Sequence, residues 1–276
     1  MIKLYALSPE AQETRLPDMS SLDAISRQLP QGLYSTFRTF DGREKVLDLK
    51  FHLRRLYYPL AALAVEPDVS ALRLRTVLKG LLKDFAPGEA RVRISLSTAE
   101  SPGKVFVMLE PLKLLDETVF QRGLRVVLSH VERQNPRLKT TSFIGKSDGE
   151  RKSILKSGIF EALMVHRDRI LEGLTSNFYA VRAGQIITAR DGILLGVTRR
   201  TVLRLGRANG IGIEYRPLRV DELPLIDEAF ITSSSRGVVP VIEIEGQPVG
   251  AGQVGDVARL LRCKYDEYVL RKAEKI

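Results

Sequence analysis

Lys139 is the residue of this sequence whose type and surroundings best suit covalent chemistry. It follows the apolar Leu138 and precedes the hydroxylated segment 140–142. A lysine in such surroundings can lose its proton readily and attack a carbonyl group. A single lysine in a loop is more often a solvated surface residue, so its assignment depends on the groups that accompany it.

The segment 169–205 combines an acidic residue, an amide and a helix start. Glu172 and Asn177 lie in short strand-like runs, and "GVTRRTVLRL" predicts a helix. The unpaired N–H groups around Val197 and Thr198 lie at the positive end of that helix, where a phosphate is the natural ligand. The alternative is an ordinary strand–turn–strand–helix unit with a buried glutamate and a helix cap.

Together these groups are the parts that a pyridoxal phosphate site requires. The lysine forms the Schiff base, the strand glutamate pairs with the pyridinium nitrogen, and the helix start binds the phosphate. The serine-rich run "TSSSRG" supplies further hydroxyl and backbone donors for an anion. The combination favours a cofactor-dependent enzyme.

About the first 110 residues predict a small α/β unit that would position part of this chemistry. "GLYSTFRTFDGREKVLDL" predicts a hairpin with its turn at Asp41-Gly42. A helix over "KFHLRRLYYPLAALAV", ending before Glu66-Pro67, follows. A second amphipathic helix is expected over "SALRLRTVLKGLLKDFAPG", ending at Pro87-Gly88. The runs "EARVRISLST" and "KVFVMLEPL" predict two more strands.

Four polar residues of this unit lie on predicted strand faces. Tyr34 and Arg38 share one face of the first hairpin strand. Arg91 and Arg93 share one face of "RVRISLS". Two arginines on one face are costly to bury unless they meet anions, and a solvated or edge face is the alternative.

The remaining residues predict a larger second unit. "PLKLLDETVFQRG" lacks a clean pattern and is expected to connect the two domains. A strand, a loop around Asn135-Pro136, a helix within 146–158, further strands and a C-terminal helix follow. We therefore expect a small α/β domain over residues 1–113, an interdomain loop over 114–121 and a large cofactor-binding domain over 122–276.

The composition of the 276 residues, 44% hydrophobic and 28% charged, is that of a soluble globular protein. No run approaches the roughly 18 apolar residues of a membrane helix, and the N-terminus lacks the apolar segment of a signal peptide. The single Cys263 excludes an intramolecular disulfide framework. His52, His130 and His166 show no metal-ligand spacing. We expect a cytoplasmic protein with no metal and no membrane partner.

The net charge of +10 is compatible with nucleic-acid binding, with anionic ligands or with a basic surface alone. The arginines are scattered along the chain rather than gathered in one block with aromatic stacking residues. A basic solvated surface is therefore the preferred interpretation, and no nucleic-acid partner is expected.

The ordered motifs resemble those of the class IV aminotransferases, the pyridoxal-phosphate fold type IV group. This group contains branched-chain and D-amino-acid aminotransferases, (R)-amine transaminases and 4-amino-4-deoxychorismate lyase. The resemblance implies an α/β (α+β) fold of two domains, a small α/β domain and a larger domain with a curved, barrel-like sheet and flanking helices. It also implies a homodimer, since the family commonly places its active site at a subunit boundary.

Three motifs carry the cofactor assignments that the resemblance implies. "FHLRRL" is similar to the family's "H..RL" helix, whose arginine, here Arg55, grips the phosphate. "PRLKTTS" resembles the lysine segment, with Lys139 as the Schiff-base residue. "LEGLTSNFYAV" resembles "EG...N.F.V", with Glu172 as the pyridinium partner and Asn177 as its supporting neighbour.

Two further motifs imply phosphate and substrate contacts. "LLGVTR" resembles the phosphate turn, so the N–H groups of Val197 and Thr198 and the Thr198 hydroxyl would bind phosphate. In "DEAFITSSSRGVVPV", Ser234 would be another phosphate ligand and Ser235 would border the substrate carboxylate.

The substrate side departs from the family patterns. Ser35 replaces the acidic residue of "G.FEG.R", "RVRISLS" lacks an "RG" ending, and "TSSSRG" differs from "SGTA.E". These departures leave the substrate open. The expected substrate-binding residues are Tyr34, Arg38, Arg91, Arg93, Ser235 and Arg236.

The resemblance implies an aminotransferase that moves an amino group between an amino acid or amine and a 2-oxo acid through Lys139. The alternative is 4-amino-4-deoxychorismate lyase, which uses the same lysine and cofactor to give 4-aminobenzoate and pyruvate. A non-catalytic binding protein on this scaffold would lack Lys139, Glu172 or Arg55, and all three are present.

Overall fold

The computed structural model describes residues 1–8, 10–85 and 87–276. Strands and helices are mixed along the chain. The helices are α1 (Leu22–Gln28), α2 (Leu49–Tyr57), α3 (Ala71–Lys83), α4 (Glu117–Arg122), α5 (Ser142–Lys156), α6 (Val197–Ala208) and α7 (Asp256–Lys272), and a 3-10 helix spans Val220–Leu225. The strands are β1 (Lys3–Leu7), β2 (Ala11–Thr14), β3 (Gly32–Phe40), β4 (Lys45–Val46), β5 (Ala90–Ser97), β6 (Val105–Pro111), β7 (Leu124–Ser129), β8 (Glu161–His166), β9 (Arg169–Gly173), β10 (Asn177–Arg182), β11 (Gln185–Thr188), β12 (Ile213–Tyr215), β13 (Leu218–Arg219), β14 (Glu228–Ser233), β15 (Gly237–Ile244), β16 (Gln247–Pro248) and β17 (Glu274–Lys275).

The chain divides into two compact units. Unit 1 comprises Met1–Lys113, Leu138–Gly145 and Arg271–Ile276, and unit 2 comprises Leu114–Arg137 and Lys146–Leu270. The range 122–276, expected as one domain, thus contains two segments that belong to unit 1. The first of these segments joins unit 1 because Thr140 bridges to Leu33, and the second because β17 pairs with β4.

Within its described residues, unit 1 contains a seven-stranded sheet in the order β17-β4-β3-β5-β6-β1-β2. The predicted hairpin is confirmed, since β3 and β4 pair antiparallel. Side chains on one face of the central strands pack with α2 and α3, whose apolar stripes follow the helical period. This core includes Phe37, Val92, Ile94, Leu96, Leu53, Leu56, Leu74, Leu78 and Leu82.

Three elements differ from the sequence-based expectation. The helix predicted over 50–65 ends at Tyr57, because Pro59 has no N–H to continue the hydrogen-bond ladder. The connection predicted to lack structure contains α4, whose start is capped by Asp116 through a 2.8 Å bond from the Thr118 N–H. α5 begins at Ser142, four residues before the predicted range.

Unit 2 is built on a ten-stranded sheet, counted over its described residues. Its main path runs β12-β11-β10-β14-β15-β7-β8-β9-β13, and β16 pairs with β15. An additional pairing joins β9 to β10, with Glu172 opposite Asn177. This pairing closes β10, β14, β15, β7, β8 and β9 into a ring, which is the barrel-like sheet that the resemblance implied.

No helix that the structure describes has both the length and the apolar character that a membrane span requires.

Candidate active site

The backbone of Lys139 is hydrogen-bonded to the first residues of β3 in unit 1. The Tyr34 N–H donates to the Lys139 carbonyl at 2.8 Å, and the Thr141 N–H donates to the Gly32 carbonyl at 2.8 Å. A Cβ at Gly32 would lie 2.0 Å from the Leu96 carbonyl oxygen, so glycine is needed where β3 enters the sheet. The lysine therefore lies on an ordered extended segment.

The three arginines that were expected to bind substrate in unit 1 have different surroundings. Arg93 is 3% exposed and its Nη1 lies 2.7 Å from Asp23 Oδ1. Arg91 Nη1 lies 2.7 Å from Glu110 Oε1. Arg38 is half-buried, with its guanidinium 4.6 Å from the ring of Phe40. Arg93 and Arg91 thus meet anions of the protein itself.

Arg55 lies on α2, one helical turn after a buried histidine. Ser35 Oγ lies 2.8 Å from His52 Nδ1, and the imidazole also contacts the ring of Phe37. Burial, with smaller contributions from the charges of Arg55 and Lys139, holds the pKa of His52 well below its usual value near 6.5. His52 is therefore a neutral group beside two cations.

Glu172 is the centre of a buried polar network in unit 2. Its Oε1 accepts a 3.1 Å hydrogen bond from Arg133 Nε. Its Oε2 accepts from Asn177 Nδ2 at 3.1 Å and from the Leu194 N–H at 3.0 Å. A cation and hydrogen-bond donors favour the anionic form of a buried carboxylate.

The start of α6 lies against the same network. Asn177 Nδ2 also donates to the Leu194 carbonyl at 2.8 Å. A Cβ at Gly196 would lie 2.1 Å from Asn177 Oδ1, so a glycine precedes the helix because no side chain fits there. No side chain caps the start of α6, so no capping side chain accepts hydrogen bonds from the N–H groups of Val197 and Thr198.

Hydroxyl groups gather at this helix start. Thr198 Oγ1 donates to Ser234 Oγ at 3.3 Å, which brings the loop after β14 to the first turn of α6. Thr198 is buried, whereas Ser234 and Ser235 are half-buried. The structure thus brings together Glu172 with Asn177 and Thr198 with Ser234.

Arg236 is bound to side chains of unit 2. Its Nη2 donates to Thr175 Oγ1 at 2.7 Å and lies 3.6 Å from Glu161 Oε2, while its Nε donates to Ser233 Oγ at 2.8 Å. Glu161 is 2% exposed and also accepts from Thr175 and Ser176. Arg236 therefore links the loop after Glu172 to the loop that carries Ser234.

Sequence reasoning missed Arg133 and Glu161. A buried glutamate requires a counter-ion, which is a general signal that Glu172 should have a cationic partner. The sequence has 43 lysine and arginine residues, and no local pattern selects Arg133 among them. Glu161 opens a strand of mostly apolar residues, where a carboxylate is expected to be solvent-exposed.

The family model "Amino-transferase class IV" matches residues 32–244. A D-alanine aminotransferase of Bacillus licheniformis is 26% identical over 261 residues, which cover 90% of this chain and 91% of that protein. A branched-chain-amino-acid aminotransferase of Pseudomonas aeruginosa is 29% identical over 169 residues, covering 58% of this chain and 54% of that protein.

A solved structure supports the fold. The T.th. branched-chain amino acid aminotransferase with pyridoxamine 5'-phosphate superposes with a TM-score of 0.82 at 21% identity. The match covers 98% of this chain and 94% of that chain. The expected fold class, a two-domain fold type IV α/β protein, is thereby confirmed.

The residues of unit 2 fit a pyridine ring that carries a phosphate. The anionic Glu172 can accept a hydrogen bond from a protonated ring nitrogen. The α6 start, which only a glycine can precede, offers backbone N–H groups and the hydroxyls of Thr198 and Ser234 to a phosphate. The donor set therefore suits a cofactor with one cationic and one anionic end.

Proposed function

Because the chain belongs to the class IV aminotransferase family, we propose that it transfers an amino group between an amino acid or amine and a 2-oxo acid. The aminotransferase relatives support a pyridoxal-phosphate-dependent transaminase, and pyridoxal phosphate is its cofactor.

The cofactor residues divide into two groups. Glu172, supported by Asn177, would hold the ring nitrogen in its protonated form. Phosphate would be bound by the N–H groups of Val197 and Thr198 and by the hydroxyls of Thr198 and Ser234. The family motif assigns Arg55 as a further phosphate ligand.

Lys139 would hold the cofactor covalently through Nζ and, once released, move a proton at the reacting carbon of the substrate. When bound, the cofactor withdraws electrons from that carbon and thereby makes its proton easier to remove. The backbone bonds of Lys139 to Tyr34 and of Thr141 to Gly32 support this role, because a group that transfers protons must return to one position.

Several residues that were expected to bind substrate already have carboxylate partners. Arg93 pairs with Asp23, Arg91 with Glu110, and Arg236 lies beside Glu161. We propose that these three arginines hold neighbouring side chains in place and do not bind the substrate. Substrate contacts would then come from Tyr34, Arg38 and Ser235.

The observation that carries the proposal is the Glu172 network beside the start of α6. It places a buried carboxylate, held by Arg133 and Asn177, in contact with the backbone of Leu194, two residues before Gly196. Burying an ionised glutamate costs several kcal/mol unless it is paired, and the Arg133 pair keeps this carboxylate available as an acceptor for a cationic ligand group.

The test is a spectral titration of the purified protein with D- and L-amino acids and amines. A donor of the proposed class converts the absorbance of the lysine-bound cofactor, and a 2-oxo acid restores it. Lys139→Ala should lack that absorbance. A protein whose spectrum is unchanged by every donor, or a Lys139→Ala variant with the wild-type spectrum, would contradict the proposal.

The same experiment separates the transaminase from the lyase of the family. Formation of 4-aminobenzoate and pyruvate from 4-amino-4-deoxychorismate, without any 2-oxo acid acceptor, would identify the lyase. Transfer of the amino group to 2-oxoglutarate or pyruvate identifies the transaminase.

We further propose that the enzyme works as a homodimer in the cytoplasm. The family's common placement of the site at a subunit boundary supports the dimer. The single cysteine, Cys263, is exposed and free, which agrees with a reducing compartment. Light scattering coupled to size-exclusion chromatography would test the dimer, and a monomeric active enzyme would contradict it.

A further inference from the structure

A buried guanidinium lies in the first turn of α6. Arg199 is the third residue of this helix and is 3% exposed. Its Nη2 donates to the Ala189 carbonyl at 2.6 Å, whereas its Nη1 is buried without a hydrogen-bond partner. Arg199 makes no ion pair with any residue that the structure describes. Burying a guanidinium without an anion costs free energy, so its place in the fold calls for an explanation.

Two aromatic rings face the Arg199 guanidinium. Its Cζ lies 5.8 Å from the ring centroid of Tyr179 and 5.7 Å from that of Tyr215. Burial raises the pKa of Tyr179 to about 12, although the charge of Arg199 acts in the opposite direction, so this phenol stays neutral at pH 7. The Tyr215 ring also lies beside a second cation, since Arg207 Cζ is 5.6 Å from it. The rings attract a cation through their π-electrons, which is weaker than pairing with an anion.

The charges around the start of α6 leave the positive charge of Arg199 unbalanced. The Glu172 carboxylate accepts from the Leu194 N–H just before the helix, but it is already paired with Arg133. The first turn of α6 contains no acidic residue, and Arg200 follows Arg199 directly. A helix N-terminus is itself positive, so cations in the first turn are unfavourable unless an anion binds there. This part of unit 2 therefore carries an excess of positive charge that an anionic ligand would neutralise.

We propose that Arg199 is the buried counter-charge of the phosphate that binds at the start of α6. Because Arg199 is the third residue of the helix, its Cα lies about 5 Å along the helix axis from that start. Its charge is shielded from water, so its attraction for a phosphate at the helix start is only weakly screened. The inference rests on the proposed phosphate site at Val197, Thr198 and Ser234. It adds to those hydrogen-bond donors a residue that acts through its charge.

The test compares two ligands that differ only in the phosphate group, pyridoxal phosphate and pyridoxal. The ring nitrogen and the aldehyde are the same in both, so a loss of affinity confined to pyridoxal phosphate reports on its phosphate. Fluorescence or dialysis gives the dissociation constant of each ligand from the full-length protein.

The variants separate the charge of Arg199 from its packing. Arg199→Met removes the charge and keeps an unbranched side chain for the same buried space, and Arg199→Lys keeps the charge. Arg204→Met is the matched control for net charge, because Arg204 is an exposed arginine of the same helix, 4.8 Å from the ring of Tyr268. Circular dichroism shows whether each variant is folded. If Arg199→Met does not fold, it is replaced by Arg199→Gln, which can still donate to the Ala189 carbonyl.

The two ligands should respond differently to the loss of the charge. Arg199→Met should weaken the binding of pyridoxal phosphate about 10- to 100-fold and that of pyridoxal no more than about twofold. Arg199→Lys should keep most of the wild-type affinity for pyridoxal phosphate, because it keeps the charge. Arg204→Met should change neither constant by more than about twofold, because solvent screens an exposed charge.

An equal loss of affinity for the two ligands would mean that Arg199 only supports the fold, and it would overturn the proposal. So would unchanged constants, the same loss in Arg204→Met, or a loss in Arg199→Lys as large as that in Arg199→Met. The binding measurements need no turnover. A protein that shows the expected constants and transfers no amino group therefore contradicts the proposed function alone, and a transaminase with unchanged constants contradicts the role of Arg199 alone.

Discussion

Arg133 Nε lies 3.1 Å from Glu172 Oε1, and both side chains are almost fully buried, at 4% and 2% exposure. Arg133 also donates to the Leu174 carbonyl at 3.4 Å. The arginine thus contacts the strand end that carries Glu172 at two points. This ion pair maintains a charged glutamate at a place where water is excluded.

We predict that Arg133→Met lowers the free energy of unfolding by about 3–5 kcal/mol, because it leaves the Glu172 carboxylate buried without its cation. Urea unfolding followed by circular dichroism measures the change. Arg259→Met is the matched control: Arg259 pairs with Asp256 at an exposed position, so its loss should cost no more than about 1 kcal/mol. Equal effects of the two substitutions would argue against a stabilising pair at Glu172.

Thr198→Ala and Ser234→Ala should each weaken cofactor binding by about 10- to 100-fold, since a hydrogen bond to a charged group contributes about 1.5–3 kcal/mol. The measurement is the dissociation constant of pyridoxal phosphate, from fluorescence or dialysis. Thr188→Ala serves as the control, because its hydroxyl bonds the Phe178 carbonyl instead. A similar loss of affinity in the control would mean that stability, rather than phosphate contact, is responsible.

The neutral His52 should make the fold sensitive to acid. Below pH 6.5 the unfolded chain binds a proton at this imidazole that the folded chain resists, so the free energy of unfolding falls as the pH falls. The slope approaches about 1.4 kcal/mol per pH unit for this one group. His52→Gln should reduce the pH dependence of the melting temperature between pH 6.5 and 5.

A comparison at pH 8 gives the packing effect of the His52→Gln substitution alone, since both states are then neutral at this position. Parallel stability curves of the two proteins from pH 8 to 5 would show that His52 is not the acid-sensitive group.

Arg236 and Glu161 should act as one unit on the loop that carries Ser234. We expect Arg236→Gln and Glu161→Gln each to weaken cofactor binding, and the double variant to lose less than the sum, with a coupling of about 0.5–3 kcal/mol. The measurement is a double-mutant cycle on the pyridoxal phosphate dissociation constant. Additive losses would indicate that the two residues act separately. An unchanged dissociation constant would instead support the substrate-binding role that the sequence predicted for Arg236.

Local patterns in the sequence predicted much of the fold. The β3–β4 hairpin, α3, the strands around Glu172 and Asn177, and α6 follow from turn residues and side-chain periodicity. The connection before Gly123 was predicted without structure because α4 has only six residues, too few for a helical period to be visible. The helix after Lys50 was predicted too long because its apolar spacing continues past Pro59.

The sequence by itself was enough to predict the cofactor, pyridoxal phosphate. The residues predicted to bind it, Lys139, Glu172 and the helix start at Gly196, lie in short motifs that are visible without the fold. Only the tertiary structure decided which polar side chains face one another. Arg133 meets Glu172 across 39 residues, and Arg236 meets Thr175 across 61, through pairings that depend on how the ring of strands closes. Side-chain partners at such separations are set by strand register, which local spacing does not encode.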